Sequence, residues 1–121
     1  MKTRVTPDEI LADHSPSIVD IANRLRSFIK TVMPEARELA YPGWHAIGYR
    51  HPKAGYVCGI FPMGNLVRLV FEWGVLLRDE TGLLRPGARQ VKFVEFSDPR
   101  RGLPEDALER LLLEAVSVRS R

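Results

Sequence analysis

Three histidines, His14, His45 and His51, and a single cysteine, Cys58, are the residues of this chain best suited to hold a metal or to act as nucleophile and base. A metal site built from local sequence needs ligands at short fixed spacings, such as HxxxH, HExxH or a cysteine–histidine set. No such spacing occurs. His45 and His51 share strand parity, but an extended strand would hold them roughly 20 Å apart. His14 precedes a helix start, an ordinary place for a loop histidine. Cys58 lies within Tyr-Val-Cys-Gly-Ile-Phe, where a lone cysteine ordinarily packs as a small hydrophobe. A nucleophile there would need a base and positive charge beside it, and no histidine has the parity to reach it. Gly43, Gly48, Gly55, Gly59 and Gly64 spell neither GxGxxG nor GxxxxGK[ST], and no G-x-S-x-G elbow is present. The expectation is therefore no catalytic set, no metal and no cofactor, with an enzymatic role left open but disfavoured.

The remaining chemistry is recognition. Side chains alternate across a strand, so residues can be sorted by parity. One sheet face is expected to carry His45, Ile47, Tyr49, Val57, Phe61, Val67, Leu69 and Phe71, and to lie under helices. The other is expected to carry Trp44, Arg50, Tyr56, Cys58, Ile60, Arg68, Val70 and Glu72. On that mixed face Trp44 and Tyr56 offer stacking, Arg50 and Arg68 offer anion binding, and Glu72 offers a counter-charge. A solvated face with cross-strand charge pairs, or self-association through the same surface, accounts for the same residues.

The elements that must position these residues can be read from caps, breakers and periodicity. Thr6-Pro7 predicts a short helix to about Ala12, and Ser15-Pro16 opens a longer one. In the latter Ile18, Ile21, Ala22, Leu25, Phe28, Ile29 and Val32 recur at helical spacing until Pro34. One further helical turn is expected over Pro34–Leu39. Strands are expected over Trp44–Arg50, Tyr56–Phe61, Leu66–Trp73, a short Val75–Arg78, and Val91–Phe96, separated by Gly, Pro, Asn and Asp loops. Pro104 to about Val118 reads as a last helix with Leu108, Leu111, Leu112, Ala115 and Val116 on one stripe. The fold class is α+β: an antiparallel β-sheet meander with N-terminal and C-terminal helices packed on one face, in one domain spanning 1–121.

At 121 residues, 45% hydrophobic and 27% charged, the chain can bury a core without staples. One cysteine leaves no internal disulfide framework, so a cytoplasmic setting is expected. The acidic N-terminal stretch does not suit a signal peptide, and no apolar run reaches membrane-spanning length. The net charge is +3, from fourteen arginines, four lysines and fifteen carboxylates. Small basic clusters at Arg100-Arg101 and Arg119–Arg121 are not joined into one face with aromatic platforms, so nucleic acid is not an expected partner.

Several segments in order carry a family resemblance: Tyr41-Pro42-Gly43-Trp44, then Gly59-Ile60-Phe61-Pro62, then Gly87-Ala88-Arg89-Gln90-Val91-Lys92-Phe93, then Gly102-Leu103-Pro104 opening the last helix. From Ser15 onward the sequence resembles the DUF1801, or YdhG-like, family of small bacterial α+β proteins. The resemblance implies an antiparallel sheet covered by N- and C-terminal helices. It also places Arg89 and Lys92 where the family commonly has basic residues before its last strand. There, with Trp44, Tyr49 and Trp73, they would line a cleft, or else pair with Glu95 or Asp98 to hold the loop. Some family members are described as frataxin-like iron chaperones, which would bind iron through surface carboxylates. The candidates here, Asp8, Glu9, Asp13 and Asp20, are scattered in a net basic chain, a departure from an acidic ridge. The expected role is a non-enzymatic domain that binds a small molecule or a protein through the mixed face, a homodimer being one form of that partnership.

Overall fold

The computed structural model describes residues 4–120. Among these residues the chain forms three α-helices and one antiparallel sheet of six strands. Arg121, counted above in a basic cluster, lies outside them.

Local chemistry starts the helices where the sequence predicts. The Thr6 hydroxyl accepts from the Glu9 amide at 3.2 Å and the Glu9 carboxylate accepts from the Thr6 amide at 3.0 Å. This reciprocal box, with Pro7 at the first position, opens α1, Pro7–Leu11. Ser15 caps α2, Pro16–Val32, through the Ile18 amide at 3.4 Å. Pro34 cannot continue the helix, and α2 closes on Met33. The last helix, α3, spans Glu105–Arg119, with Glu105 and Asp106 placed favourably at its positive end.

The strands are β1 (Arg37–Tyr41), β2 (Ala46–His51), β3 (Gly55–Pro62), β4 (Val67–Phe71), β5 (Arg85–Pro86) and β6 (Lys92–Phe96). They lie in the order β1-β2-β3-β4-β6-β5. β2, β3 and β4 form the expected meander, with β6 beside β4. β1 adds an edge that was not expected, and β5 pairs with β6 on the opposite edge. Three boundaries differ from expectation. Residues 34–39 do not add a helical turn; β1 begins within them because Glu38 and Ala40 turn toward Tyr49 and Ile47 of β2. The chain before β2 is a turn, not strand. The Trp44 amide donates to the Tyr41 carbonyl and the His45 amide to the Pro42 carbonyl, with His45 in the left-handed region at φ 52°. Val75–Arg78 is not a strand either, since Gly74–Leu76 winds into a single 3-10 turn.

The parity assignment holds for β2 and β4 and fails along most of β3. Tyr49 pairs with Cys58 while Arg50 pairs with Tyr56, leaving Val57 as the extra residue of a β-bulge. One inserted residue reverses the faces beyond it. Cys58 and Ile60 therefore lie on the helix-covered face, fully buried, instead of on the mixed face. Phe61, expected beneath the helices, lies on the open side opposite Arg68. Val57 is buried within the bulge, and His45 is exposed in its turn.

The core joins Ile21, Leu25 and Ile29 of α2 and Leu108 and Leu112 of α3 to Ile47, Ile60, Leu69 and Phe71 of the sheet. Phe71 is the largest fully buried side chain. At one edge Arg26 of α2 forks onto Glu38 of β1, at 3.0 and 2.9 Å, and Tyr49 donates to the same carboxylate at 2.7 Å. No helix among the described residues is long and apolar enough to cross a membrane.

Candidate functional site

The face turned away from the helices is built in rows by the strand register. One row runs Leu39, Gly48, Gly59, Val70, Phe93 and Arg85. Beside it run Phe61, Arg68 and Glu95 on one flank and Arg37, Arg50 and Tyr56 on the other.

Gly48 and Gly59 face each other across β2 and β3 and leave a floor without side chains. Tyr56 lies across both. A Cβ at Gly48 would overlap the Tyr41 ring and come within 2.7 Å of the Tyr56 ring, and one at Gly59 would overlap the Tyr56 hydroxyl. Glycine in a strand costs backbone entropy and contributes no packing of its own; here the aromatic rings supply the cover. Tyr41 stacks on Trp44 with centroids 5.3 Å apart and planes 18° from parallel. Tyr56 meets both edge-on, at 5.7 and 5.9 Å. The result is an aromatic shelf whose outermost ring, Trp44, is 58% exposed. Burial above all pushes the Tyr56 hydroxyl well above the ordinary tyrosine range, with smaller contributions from neighbouring Cys58, Tyr41 and, least, Glu72. The Tyr56 hydroxyl therefore serves as a neutral group.

The charges around the shelf divide into engaged and open ones. Arg68 lies 4.2 Å over the Phe93 ring and pairs with Glu95 at 3.0 Å. Glu95 also takes Arg85 at 3.4 Å. At the other end Arg37 and Arg50 stand directly opposite each other in the β1–β2 register. Like charges in that relation are destabilising. Among the described residues neither takes part in an ion pair.

Of the residues singled out from sequence, Arg50, Tyr56 and Arg68 share this face through the strand register, and Trp44 joins them through its ring contact with Tyr56. Glu72 follows the end of β4 and reaches them only through its charge, which acts on the Tyr56 hydroxyl. Arg89 and Lys92 do not join them. Lys92 pairs with Phe71, which puts it on the helix-side parity, where Gly74 packs against its backbone. Arg89 lies in the loop before β6 at φ 54°. The cleft they were to form with Trp44, Tyr49 and Trp73 is absent among the described residues: Tyr49 is buried on the core side, and Trp73 lies beneath Arg119 at 5.2 Å. Nor do Arg89 and Lys92 hold the loop through Glu95 or Asp98, because Glu95 takes Arg68 and Arg85 and Asp98 takes Arg100. The site residues that sequence reasoning missed are Arg37, Tyr41, Phe61 and Phe93. Phe93 was legible, since it shares the parity of Glu95 within β6; the others required the unexpected β1 and the bulge.

Cys58 offers no nucleophile. It is fully buried, and burial pushes its thiol up. Grooves of about 600 and 860 Å³ meet at Arg24, Gly102 and Leu103, between α2 and the approach to α3. They lie away from the aromatic shelf. Comparison with protein-family models, with curated proteins and with solved structures finds no match.

The shelf makes a local prediction. Gly48→Ala is expected to lower stability by only about 1 kcal/mol, because the overlapping atoms belong to rings that can swing into solvent. The rings must nevertheless leave their places. Near-ultraviolet circular dichroism should therefore lose much of its tyrosine–tryptophan signal while the far-ultraviolet spectrum stays unchanged.

Proposed function

We propose that this chain is a non-enzymatic interaction domain of the DUF1801 type. In this reading its open sheet face docks a protein segment that presents a carboxylate beside an apolar side chain. The observation that carries the reading is the adjacency of the Trp44–Tyr41–Tyr56 shelf to the unpaired Arg37–Arg50 register. Trp, Tyr and Arg dominate binding energy at protein interfaces. The face is a shelf, which suits a protein surface better than an enclosed small molecule. Charge complementarity selects the partner: an acidic group would relieve the Arg37–Arg50 repulsion, whereas a second copy related by a two-fold axis would bring more arginine to it. A single, buried cysteine supports a cytoplasmic setting in this reading.

The alternative of a frataxin-like iron chaperone has less support from its proposed ligands. Asp8 pairs with Arg26, Glu9 closes the α1 cap, and Asp20 pairs with Arg24.

A peptide array that pairs Asp or Glu with Leu or Phe at varied spacing, with Lys-substituted controls, tests the reading. Selective binding to the acidic members is expected. Trp44→Ala and Arg50→Glu should each weaken it roughly thirtyfold, and Arg119→Glu should leave it unchanged. Equal binding of acidic and basic members would overturn the proposal. So would a chain that sediments as a dimer which Trp44→Ala dissociates.

A further inference from the structure

The histidines that the sequence leaves apart are brought together elsewhere in the fold. His14 lies in the link between α1 and α2, its amide held by the Leu11 carbonyl at 3.1 Å. His45 lies in the β1–β2 turn. The two are separated by 31 positions in the chain, yet their Nε2 atoms approach to 2.7 Å. Their ring centroids are 5.0 Å apart, with planes inclined at 35°. At that separation one Nε2–H donates to the lone pair of the other.

Two features make this more than a chance surface contact. First, both rings present the same nitrogen to one point, and Nε2 is a ring position that takes metal. Second, His45 is held in a defined turn, in the left-handed region at φ 52° with its amide donating to the Pro42 carbonyl at 3.2 Å, so the ring is positioned by backbone hydrogen bonding.

We propose that His14 and His45 form a two-histidine site for a divalent cation of borderline softness, Zn²⁺, Ni²⁺ or Cu²⁺. The cation takes the place of the hydrogen between the rings, and the donor ring moves that hydrogen from Nε2 to Nδ1 through solvent. Both rings then carry hydrogen on Nδ1 and present the Nε2 lone pair. With metal–nitrogen distances of about 2.0–2.1 Å, a tetrahedral angle separates the two nitrogens by about 3.3 Å. The nitrogens must part by roughly 0.6 Å, and the rings, which now point head-on along the line between them, must both tilt off it. Rotation of exposed His45 and half-buried His14 supplies this. Among the described residues no third histidine, cysteine or carboxylate completes the set. The remaining positions go to water or to a ligand brought by another molecule. Hard cations such as Mg²⁺ prefer oxygen ligands and do not take the site.

His51 is the internal control. Its Nδ1 accepts from the Lys53 and Ala54 amides at 3.1 and 3.3 Å, and its Nε2 faces Glu35 at 3.3 Å. The inference is independent of the docking reading, since it needs neither Trp44 nor Arg50.

Titration calorimetry of the full chain with ZnCl₂ and with CuCl₂ tests it. One equivalent is expected to bind, weakened at least tenfold by His14→Gln and by His45→Gln and unchanged by His51→Gln. Because the ion would tie the α1–α2 link to the β1–β2 turn, Zn²⁺ at hundredfold excess over Kd should also raise Tm by roughly 10 °C. Both His14→Gln and His45→Gln should abolish that rise. Absence of binding, or binding that survives both substitutions, would overturn the proposal. So would an equal loss in His51→Gln.

Discussion

Gly74→Ala is expected to destabilise the protein by about 3 kcal/mol and to lower Tm by roughly 10 °C. Gly74 is buried in the 3-10 turn that follows β4, pressed against the start of β6. A Cβ there would overlap that of Lys92 and lie 2.7 Å from its backbone nitrogen and 3.0 Å from its Cα. Those atoms belong to a strand held on both sides, by β4 and by β5. Unlike the rings over Gly48, they cannot rotate away, so the turn or the strand must shift. The turn is also tied to this region by the Val75 amide, which donates to the Gln90 carbonyl at 3.1 Å. Gly64 provides the comparison, since nothing lies within 4 Å of the added carbon. Gly64→Ala should change stability by no more than about 0.5 kcal/mol. Urea denaturation of the two variants beside the parent reads both numbers. Equal midpoints would show that the turn is not packed as described.

Glu38→Ala is expected to cost about 2–3 kcal/mol at neutral pH. The carboxylate accepts from both arms of the Arg26 fork and from the hydroxyl of Tyr49, a residue 2% exposed. Its removal leaves the hydroxyl unpaired and the guanidinium with Asp8 and Asn23 alone. Glu38→Gln keeps an acceptor for Tyr49 and should lose less. The effect carries a pH signature. Burial would raise the Glu38 pKa, but the hydrogen bonds from Arg26 and Tyr49 outweigh it and hold the carboxyl below its ordinary value. The unfolded chain thus binds this proton more readily than the folded one. Glu38 therefore contributes full stability above the ordinary glutamate pKa of about 4.3 and loses it as pH falls through the lower native value. The stability gap between parent and Glu38→Ala should be largest near neutrality and shrink below about pH 4. A gap that stays constant between pH 7 and pH 3 would mean that the charge of Glu38 does not matter.

The same two regions show where the sequence could be read and where it could not. The helices were legible because their signals are local: a Thr6–Glu9 box, a Ser15-Pro16 start, a stripe from Ile18 to Val32. The Glu38 network was not, because it joins residues from α2, β1 and β2, and β1 itself lay where a helical turn was expected. Gly74 falls between the expected strands Leu66–Trp73 and Val75–Arg78; β4 does end before it, but in a 3-10 turn. Its small size is required by Lys92, a neighbour in space and not in sequence.

For the open face, alternation alone correctly grouped Arg50, Tyr56 and Arg68, because parity is a property of extended backbone and needs no partner. Trp44 reaches the same face from a turn, where alternation does not apply. Alternation misplaced Cys58, Ile60 and Phe61, because a bulge arises from how two strands fit together. Sequence by itself thus determined the α+β class, the helix starts, and the aromatic and basic composition of one sheet face. Only the tertiary structure decided which side of β3 enters the core, that Arg37 stands opposite Arg50, and that His14 meets His45. Those outcomes depend on register and on packing between distant segments, which local propensity and periodicity do not encode.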